Sequence, residues 1–144
     1  MTAGAKPDTP YILDGQVGFI LRQVAQRHAA LFAAGIGADL TMTQWAALAK
    51  LAEVGPASQN HLGRLTAMDA ATVKGVIDRL TARGLTDTRA DPHDVRRRLV
   101  ALTRGGRALV ARTAPNAARV TADTLSPLDP QEREALLMLL GRLR

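Results

Sequence analysis

DAATVKGVIDRLTARGLTDTRADPHDVRRRLVALTRGG, residues 69–106, joins a helical pattern to the pattern of a basic hairpin. Asp69 stands where an N-cap is expected, and apolar residues then recur at helical spacing. Gly84 is placed to end this helix in the left-handed conformation. Two short extended segments, 85–89 and 98–102, flank an Asp-Pro turn and predict a β-hairpin. The inward-facing positions of the helix are Val73, Val76, Ile77 and Leu80.

A second helix precedes this stretch closely. Ser58 is the expected N-cap of a helix that runs to Leu65, and only about four residues then lead to the next helix, a connection typical of a helix-turn-helix. In that motif the second helix lies in the DNA major groove. Because the hairpin follows that helix directly, it is predicted to be a wing, and residues 38–103 are predicted to form a winged helix-turn-helix.

Positive charge is concentrated in this part of the chain. The net charge is +6, and +5 of it falls between Arg83 and Arg112, where eight arginines accompany three aspartates. Such a concentration is typical of a surface that binds a polyanion. The alternative is a solvated surface that aids solubility, although such surfaces usually mix charges of both signs.

The composition favours a small helical protein. The 144 residues are 47% hydrophobic but only 3% aromatic, so the core is built mainly from aliphatic side chains and Ala, which favour helix. A chain without cysteine forms neither disulfides nor Cys-ligated zinc sites. No apolar run approaches the roughly 20 residues of a membrane span, and the N-terminus lacks the apolar segment of a signal peptide. We therefore expect a cytoplasmic protein without membrane association.

The two chain ends are expected to form a dimerisation region. Residues 1–13 show no periodicity and are predicted to be a flexible arm, and residues 14–37 are predicted to be the first dimerisation helix. Thr41 and Gln44 form a capping-box pattern that opens the next helix, which carries Trp45. The first helix has one predicted buried stripe at helical spacing, which consists of Val17, Ile20, Leu21, Val24, His28, Leu31 and Phe32.

Residues 104–144 are predicted to supply the C-terminal dimerisation helices. Pro115 interrupts a rather polar helical pattern and is expected to kink the helix or break it in two. Asp129, Pro130 and Glu132 mark the start of a final helix. That helix is too apolar for a lone surface helix, so we expect it to pair with the first helix and with a second subunit. Its leucines are Leu136, Leu137, Leu139, Leu140 and Leu143.

The order of these elements and the sequence of the wing resemble the MarR family of bacterial winged-helix repressors. The family pattern DPxDxRxxxVxLTxxG is matched by Asp91, Pro92, Asp94, Arg96, Leu102, Thr103 and Gly106. The resemblance extends from about Val17 to the C-terminus. The strings YILDGQVGFILRQVAQRH and GPASQNHLGRLTAMDAATVKGVIDRL are similar to members that repress the catabolism of aromatic acids, such as hydroxynicotinate or hydroxycinnamate derivatives.

The expected fold is therefore mainly α with a small β-hairpin wing, a winged helix-turn-helix with a dimerisation region of terminal helices. The resemblance implies a homodimeric repressor that binds a palindromic operator in double-stranded DNA. Its two recognition helices would enter successive major grooves about 34 Å apart. No cofactor is expected. One departure is Gly75, which follows Lys74 where family members often carry arginine or another polar residue, and which offers no side chain to a base.

Candidate DNA contacts lie on three elements. On the wing, Arg96 is predicted to enter the minor groove, because a guanidinium is planar and weakly hydrated and narrow grooves concentrate negative potential. Asp94 is expected to hold that arginine, and Arg97 and Arg98 alternate faces. The alternative is that Asp91 and Asp94 only cap the turn and that the helical positions are ordinary solvated ones. The other candidates are Ala71, Thr72, Lys74, Asp78 and Arg79 on the recognition helix, and Ser58, Asn60 and His61 for phosphate.

The family resemblance also implies a site for a small aromatic acid, or its coenzyme A thioester, between the dimerisation helices and the winged-helix region. For His28 the alternative is a hydrogen-bonded core residue, and for Trp45 it is plain core packing. The candidate ligand residues are Arg22, Gln23, Arg27, His28, Trp45 and Met68.

Two other classes of function are possible from the residues. Asp91, His93 and Asp94 could be part of a metal or acid–base cluster, but adjacent turn residues splay their side chains and lack a fourth ligand or a nucleophile. Neither catalysis nor a metal site is therefore predicted. The second alternative is a winged-helix module that binds an acidic protein partner through its basic surface. Such a module needs no dimer symmetry and would bind duplex DNA without steep salt dependence.

Overall fold

The computed structural model describes residues 9–144, which form six α-helices and one antiparallel hairpin. A short 3-10 turn, Leu13–Gly15, precedes the first helix, and residues 1–8 of the predicted flexible arm lie outside the described residues. The elements are α1 (Val17–Gly35), α2 (Met42–Val54), α3 (Gln59–Leu65), α4 (Ala70–Ala82), β1 (Thr86–Ala90), β2 (Arg98–Leu102), α5 (Arg104–Thr124) and α6 (Pro130–Gly141).

Four of the helices begin at their predicted N-caps. Thr41 and Asp129 each open a capping box, with the backbone N–H of the third helical residue donating to the cap side chain and the reciprocal bond also formed. Ser58 Oγ accepts from the His61 backbone at 3.3 Å, and Asp69 Oδ1 accepts from the Thr72 backbone at 2.7 Å. Since each cap satisfies a donor that the helix leaves free, these local bonds fix the starts of α2, α3, α4 and α6.

The turn between α3 and α4 depends on close approach of the backbone. Met68 N–H donates to the Gly63 carbonyl at 2.8 Å, and Ala67 adopts the left-handed conformation at φ 55°. A Cβ on Gly63 would lie 3.0 Å from the Met68 carbonyl oxygen, so a larger residue would require the backbone at Met68 to shift by a few tenths of an ångström. The predicted helix-turn-helix is thereby formed.

The wing is a short hairpin anchored to the helix-turn-helix. Thr86 pairs with Leu102, and Ala90 pairs with Arg98. Ala57, just before α3, exchanges two backbone hydrogen bonds with Val100 of β2, at 3.0 and 2.7 Å. This bridge fixes the base of the wing beside the start of α3.

One main core fills the winged-helix region, and a smaller cluster joins α1 to α5. Leu48, Leu62 and Leu80 of the main core are completely buried. Phe32, Ile36 and Val120 form the smaller cluster, and Trp45 packs against both. Trp45 therefore lies at the junction between the terminal helices α1 and α5 and the winged-helix region. Among residues 9–144, no helix is both long enough and apolar enough to cross a membrane.

In the single chain, much of the predicted apolar surface of the two terminal helices is exposed. Phe32 is the buried member of the predicted α1 stripe. The N-terminal half of that stripe is exposed, and Val17 has an exposed fraction of 64%. No residue of α6 is buried, and Leu137 and Leu140 remain exposed. Helical spacing identifies the apolar face but not what covers it, and α6 has little of its own chain to cover it.

Pro115 does not break α5 in two. The helix runs continuously from Arg104 to Thr124 with Pro115 inside it. Proline removes the hydrogen bond to the carbonyl four residues earlier, which belongs to Ala111. Both Pro115 and Ala111 are exposed, so water can solvate the carbonyl that proline leaves free.

Candidate nucleic-acid interface and ligand cavity

Helix α4, the predicted recognition helix, presents the predicted polar face to solvent. Ala71, Thr72, Lys74, Asp78 and Arg79 are all exposed, while the opposite face is buried in the main core. Lys74 Nζ lies 2.8 Å from Asp78 Oδ2. Exposed pairs of this spacing contribute only a few tenths of a kcal/mol, so the pair leaves Lys74 free to exchange Asp78 for another acceptor.

The N-cap of α4 has a perturbed carboxyl. The Thr72 backbone N–H donates to Asp69 and holds the pKa of that carboxyl below its ordinary value of 3.8, because the hydrogen bond favours the charged form. Asp69 therefore keeps a negative charge at the positive end of the recognition helix. A carboxylate there stabilises the helix start.

The wing carries a highly exposed arginine at its turn. Arg96 has 92% of its side chain exposed, and its Nε lies 3.7 Å from Asp94 Oδ1. The same Asp94 oxygen accepts from the Arg96 backbone N–H at 3.1 Å, and Asp91 Oδ1 accepts from the His93 backbone at 2.8 Å. The two aspartates thus shape the turn that holds Arg96 outward. Within residues 9–144, no group of three or more potential metal ligands comes together.

Arg97 and Arg98 lie in different surroundings. Arg97 Nη2 donates to Ser58 Oγ at 3.2 Å, which joins the wing to the N-cap of α3. Arg98 begins β2, opposite Ala90, and is exposed. The structure therefore brings Ser58 and Arg97 together, although they are 39 positions apart.

The exposed side of α3 continues this surface. Asn60 and His61 are exposed as predicted, and Arg64 Nη2 lies 3.5 Å from His61 Nδ1. Arg64 is a basic residue of this surface that the sequence interpretation missed. Its spacing of three from His61 on a helix is the signal that could have identified it.

A cavity of about 310 Å³ lies where α1, α2 and α5 meet. His28 and Trp45 both line it, as the ligand prediction placed them, together with Phe32 and Met42. The volume lies in the range of small-molecule sites, and the lining offers aromatic faces and one imidazole. The remaining lining residues come from α5 and are Ala117, Ala118, Val120 and Thr121.

The hydrogen bonds of His28 indicate which nitrogen of the neutral ring is the donor. Thr124 Oγ1 donates to the Val120 carbonyl at 2.8 Å and also lies 2.8 Å from His28 Nδ1. A hydroxyl has one hydrogen to donate, and that of Thr124 is directed at the Val120 carbonyl. In the bond between Thr124 and His28, Nδ1 of His28 is therefore the donor. In the neutral ring Nε2 is then an acceptor for the hydroxyl hydrogen of a phenol or a carboxylic acid.

The other four predicted ligand residues lie elsewhere. Arg22 and Gln23 are exposed on α1. Arg27 donates to the carbonyls of Thr124 at 2.6 Å and Asp123 at 3.0 Å, and so caps the C-terminal end of α5. Met68 lines a separate cavity of about 200 Å³ with Asn60 and Arg64. None of the four is among the residues that line the His28 cavity.

Comparisons with known proteins agree with this architecture. The profile of the MarR family matches residues 38–97. The transcriptional repressor NicR of Pseudomonas putida is 39% identical over 94% of this chain and 87% of its own length. A probable transcriptional regulator from Pseudomonas aeruginosa has a crystal structure that is 57% identical, with a TM-score of 0.90, covering 92% of this chain and 100% of that one.

A third relative connects the fold with a ligand. BpsR of Bordetella bronchiseptica, whose DNA binding is regulated by 6-hydroxynicotinic acid, is 43% identical, with a TM-score of 0.89, and covers 94% of this chain and 97% of its own. These similarities confirm the predicted winged-helix fold and the resemblance to regulators that respond to aromatic acids. The chain belongs to the MarR family of transcriptional regulators.

Proposed function

We propose that the protein represses transcription by binding a palindromic operator as a symmetric homodimer. The observation that carries the proposal is an exposed polar face on α4 combined with a wing arginine that has 92% of its side chain in solvent. Thr72 and Lys74 suit contacts to base edges in the major groove. Arg96 suits a narrow minor groove.

The exposed apolar surface of the chain ends supports the dimer. Val17 and Val24 of α1 and Leu137 and Met138 of α6 are each about half exposed or more. Contiguous apolar patches of this kind mark protein interfaces. A two-fold axis between the terminal helices would bury the same patch on both subunits and set the two recognition helices at the spacing of successive major grooves.

The proposed effector is a single-ring aromatic acid, bound in the His28 cavity. The aromatic faces of Phe32 and Trp45 suit stacking on a ring, and Nε2 of His28 suits hydrogen bonding to a phenol or carboxyl group. The regulation of BpsR by 6-hydroxynicotinic acid supports this class. A coenzyme A thioester would have to extend its nucleotide beyond the about 310 Å³ of the cavity. A repressor of this kind acts in the cytoplasm.

The decisive experiment is fluorescence anisotropy on labelled duplex DNA from the protein's own promoter. Between about 50 and 200 mM salt, a site with six or more phosphate contacts should lose roughly 1000-fold in affinity. Arg96→Ala should weaken binding by about tenfold or more at each salt concentration, with an unchanged circular dichroism spectrum. 6-Hydroxynicotinic acid should lower the affinity of the wild type.

Two outcomes would contradict the proposal. Salt-insensitive or absent binding to every promoter fragment would favour the alternative, a winged-helix module for an acidic protein partner. Unchanged affinity of Arg96→Ala would remove the minor-groove role from that residue.

A further inference from the structure

The loop between α1 and α2 is held from two sides by side chains distant in sequence. From α5, Asn116 Nδ2 donates to the Ile36 carbonyl at 3.1 Å. From the end of α4, the Arg83 guanidinium donates through Nη1 to the Asp39 carbonyl at 2.8 Å and through Nη2 to the Ala38 carbonyl at 3.3 Å. One loop is therefore bonded both to α5 and to the recognition helix.

The backbone of this loop adopts an uncommon conformation. Gly37 and Asp39 have φ of 73° and 49°, and Asp39 is one of two non-glycine residues with positive φ in the described chain. A side chain at position 37 would be strained by this φ, and its Cβ would lie 3.2 Å from Asn116 Nδ2. Such conformations persist where the surroundings hold them in place. Here two successive carbonyls point at one guanidinium, an arrangement that suits the planar fork of arginine.

The loop connects the His28 cavity to the core beneath the recognition helix. Ile36, at its start, packs with Phe32 and Val120, both of which line the cavity. Leu40, at its end, belongs to the main core that contains the buried face of α4. A ligand that displaces Phe32 or Val120 therefore pushes on Ile36, because packed interiors transmit small shifts rather than absorb them.

We infer that Arg83 is a positioning residue that couples the His28 cavity to the pose of the recognition helix. Its fork fixes the C-terminal end of α4 to the Ala38 and Asp39 carbonyls, so movement of the loop moves the helix end. The inference rests on the proposed function, since it names the route by which a bound acid would alter DNA affinity. By the same inference, Asn116 is the positioning residue that holds the loop to α5 through the Ile36 carbonyl.

A simpler role for Arg83 would be attraction of DNA phosphate by its charge. Two substitutions separate the roles. Arg83→Lys keeps the charge and loses the fork, whereas Arg83→Met loses both. Arg112→Met, at an exposed arginine of α5 outside the proposed DNA surface, is the matched control for the loss of one positive charge.

Operator affinity is measured for the three variants with and without 6-hydroxynicotinic acid. We expect Arg83→Met and Arg83→Lys each to weaken binding about tenfold relative to Arg112→Met. The ratio of dissociation constants with and without the acid should fall towards one in both Arg83 variants. Wild-type behaviour of Arg83→Lys, or equality of all three variants, would overturn the inference.

A second measurement needs neither DNA nor ligand and separates this inference from the proposed function. The Gly84 and Leu85 amides donate to the carbonyls of Thr81 and Leu80 at the end of α4. Removing the α5 bond by Asn116→Ala should speed hydrogen exchange at these amides about fivefold, the factor that corresponds to ~1 kcal/mol. The same substitution in the Arg83→Met background should cause no further increase.

If the wild-type protein fails to bind DNA, the proposed function is wrong. The hydrogen-exchange experiment alone then tests the coupling through Arg83. Unchanged exchange at Gly84 and Leu85 in Asn116→Ala would then overturn the coupling through Arg83. An equal increase in exchange when Asn116→Ala is added to Arg83→Met would also overturn it, because Asn116 would then affect the end of α4 without Arg83.

Discussion

Two adjacent glycines at the start of α5 allow a direct test of how the wing is joined to the helices. A Cβ on Gly106 would overlap the Leu85 carbonyl oxygen and would lie 3.1 Å from the Leu85 carbonyl carbon. A Cβ on Gly105 would lie 3.7 Å from Thr103 Oγ1 and 3.8 Å from the Gly84 oxygen, which is ordinary contact. Alanine should therefore have opposite effects at the two positions.

The size of the change in unfolding free energy depends on which atoms alanine would displace. With alanine at position 106, the Leu85 carbonyl has to shift, and that carbonyl accepts a hydrogen bond from the Thr103 backbone at 3.1 Å. Overpacking costs about 1–3 kcal/mol and the weakened bond about 1 kcal/mol. Gly106→Ala should thus lower the free energy of unfolding by about 2–4 kcal/mol. Gly105→Ala should raise it by ~0.5 kcal/mol, because alanine favours helix over glycine.

Urea unfolding, followed by circular dichroism at one fixed protein concentration, measures the difference. A fixed concentration is needed because association adds to the apparent stability of a dimer. With a denaturant slope of about 2 kcal/mol per M, the two midpoints should differ by more than about 1 M. If Gly106→Ala unfolds at the same urea concentration as Gly105→Ala or higher, the close approach of α5 to Leu85 is not what stabilises this junction.

Two other predictions concern the cavity and pH. Trp45→Phe should weaken the binding of 6-hydroxynicotinic acid in a calorimetric titration, because the indole lines the His28 cavity; an identical titration would leave Trp45 as plain core. The lowered pKa of Asp69 means that its contribution to the free energy of unfolding is present above the ordinary pKa and lost as pH falls through the folded-state pKa. Asp69→Asn does not titrate at this position, so the stability advantage of the wild type should shrink from pH 6 to pH 3. An advantage independent of pH would contradict the role of the Asp69 charge.

Short-range features of this fold were predictable from the sequence. Thr41, Ser58, Asp69 and Asp129 each precede their helix by one residue, and each accepts from a backbone N–H three residues on. The chemistry of a cap involves only neighbouring residues, so one sequence contains all the information. The left-handed end of α4 at Gly84, with φ 73°, was predictable for the same reason, because it depends on the residue at that position.

Features that depend on distant parts of the chain were not predictable. The bonds of Arg83 to Ala38 and Asp39 span 44 or 45 positions, and that of Asn116 to Ile36 spans 80. Arg27 is a candidate ligand residue through the family resemblance, and in the structure its guanidinium caps α5, 96 and 97 positions away. Nothing in local spacing distinguishes a cation that binds a ligand from one that binds a helix end.

The three consecutive arginines of the wing show why charge density alone says little about individual residues. Arg96 extends into solvent from a turn that Asp94 shapes, Arg97 bonds to Ser58, and Arg98 begins β2. The turn ends between Arg96 and Arg98, so the three side chains leave the backbone in different surroundings. Arg96 therefore extends into solvent, while Arg97 joins the wing to the N-cap of α3. A run of like charges is tolerated here because Asp94 lies beside Arg96 and Ser58 accepts a hydrogen bond from Arg97.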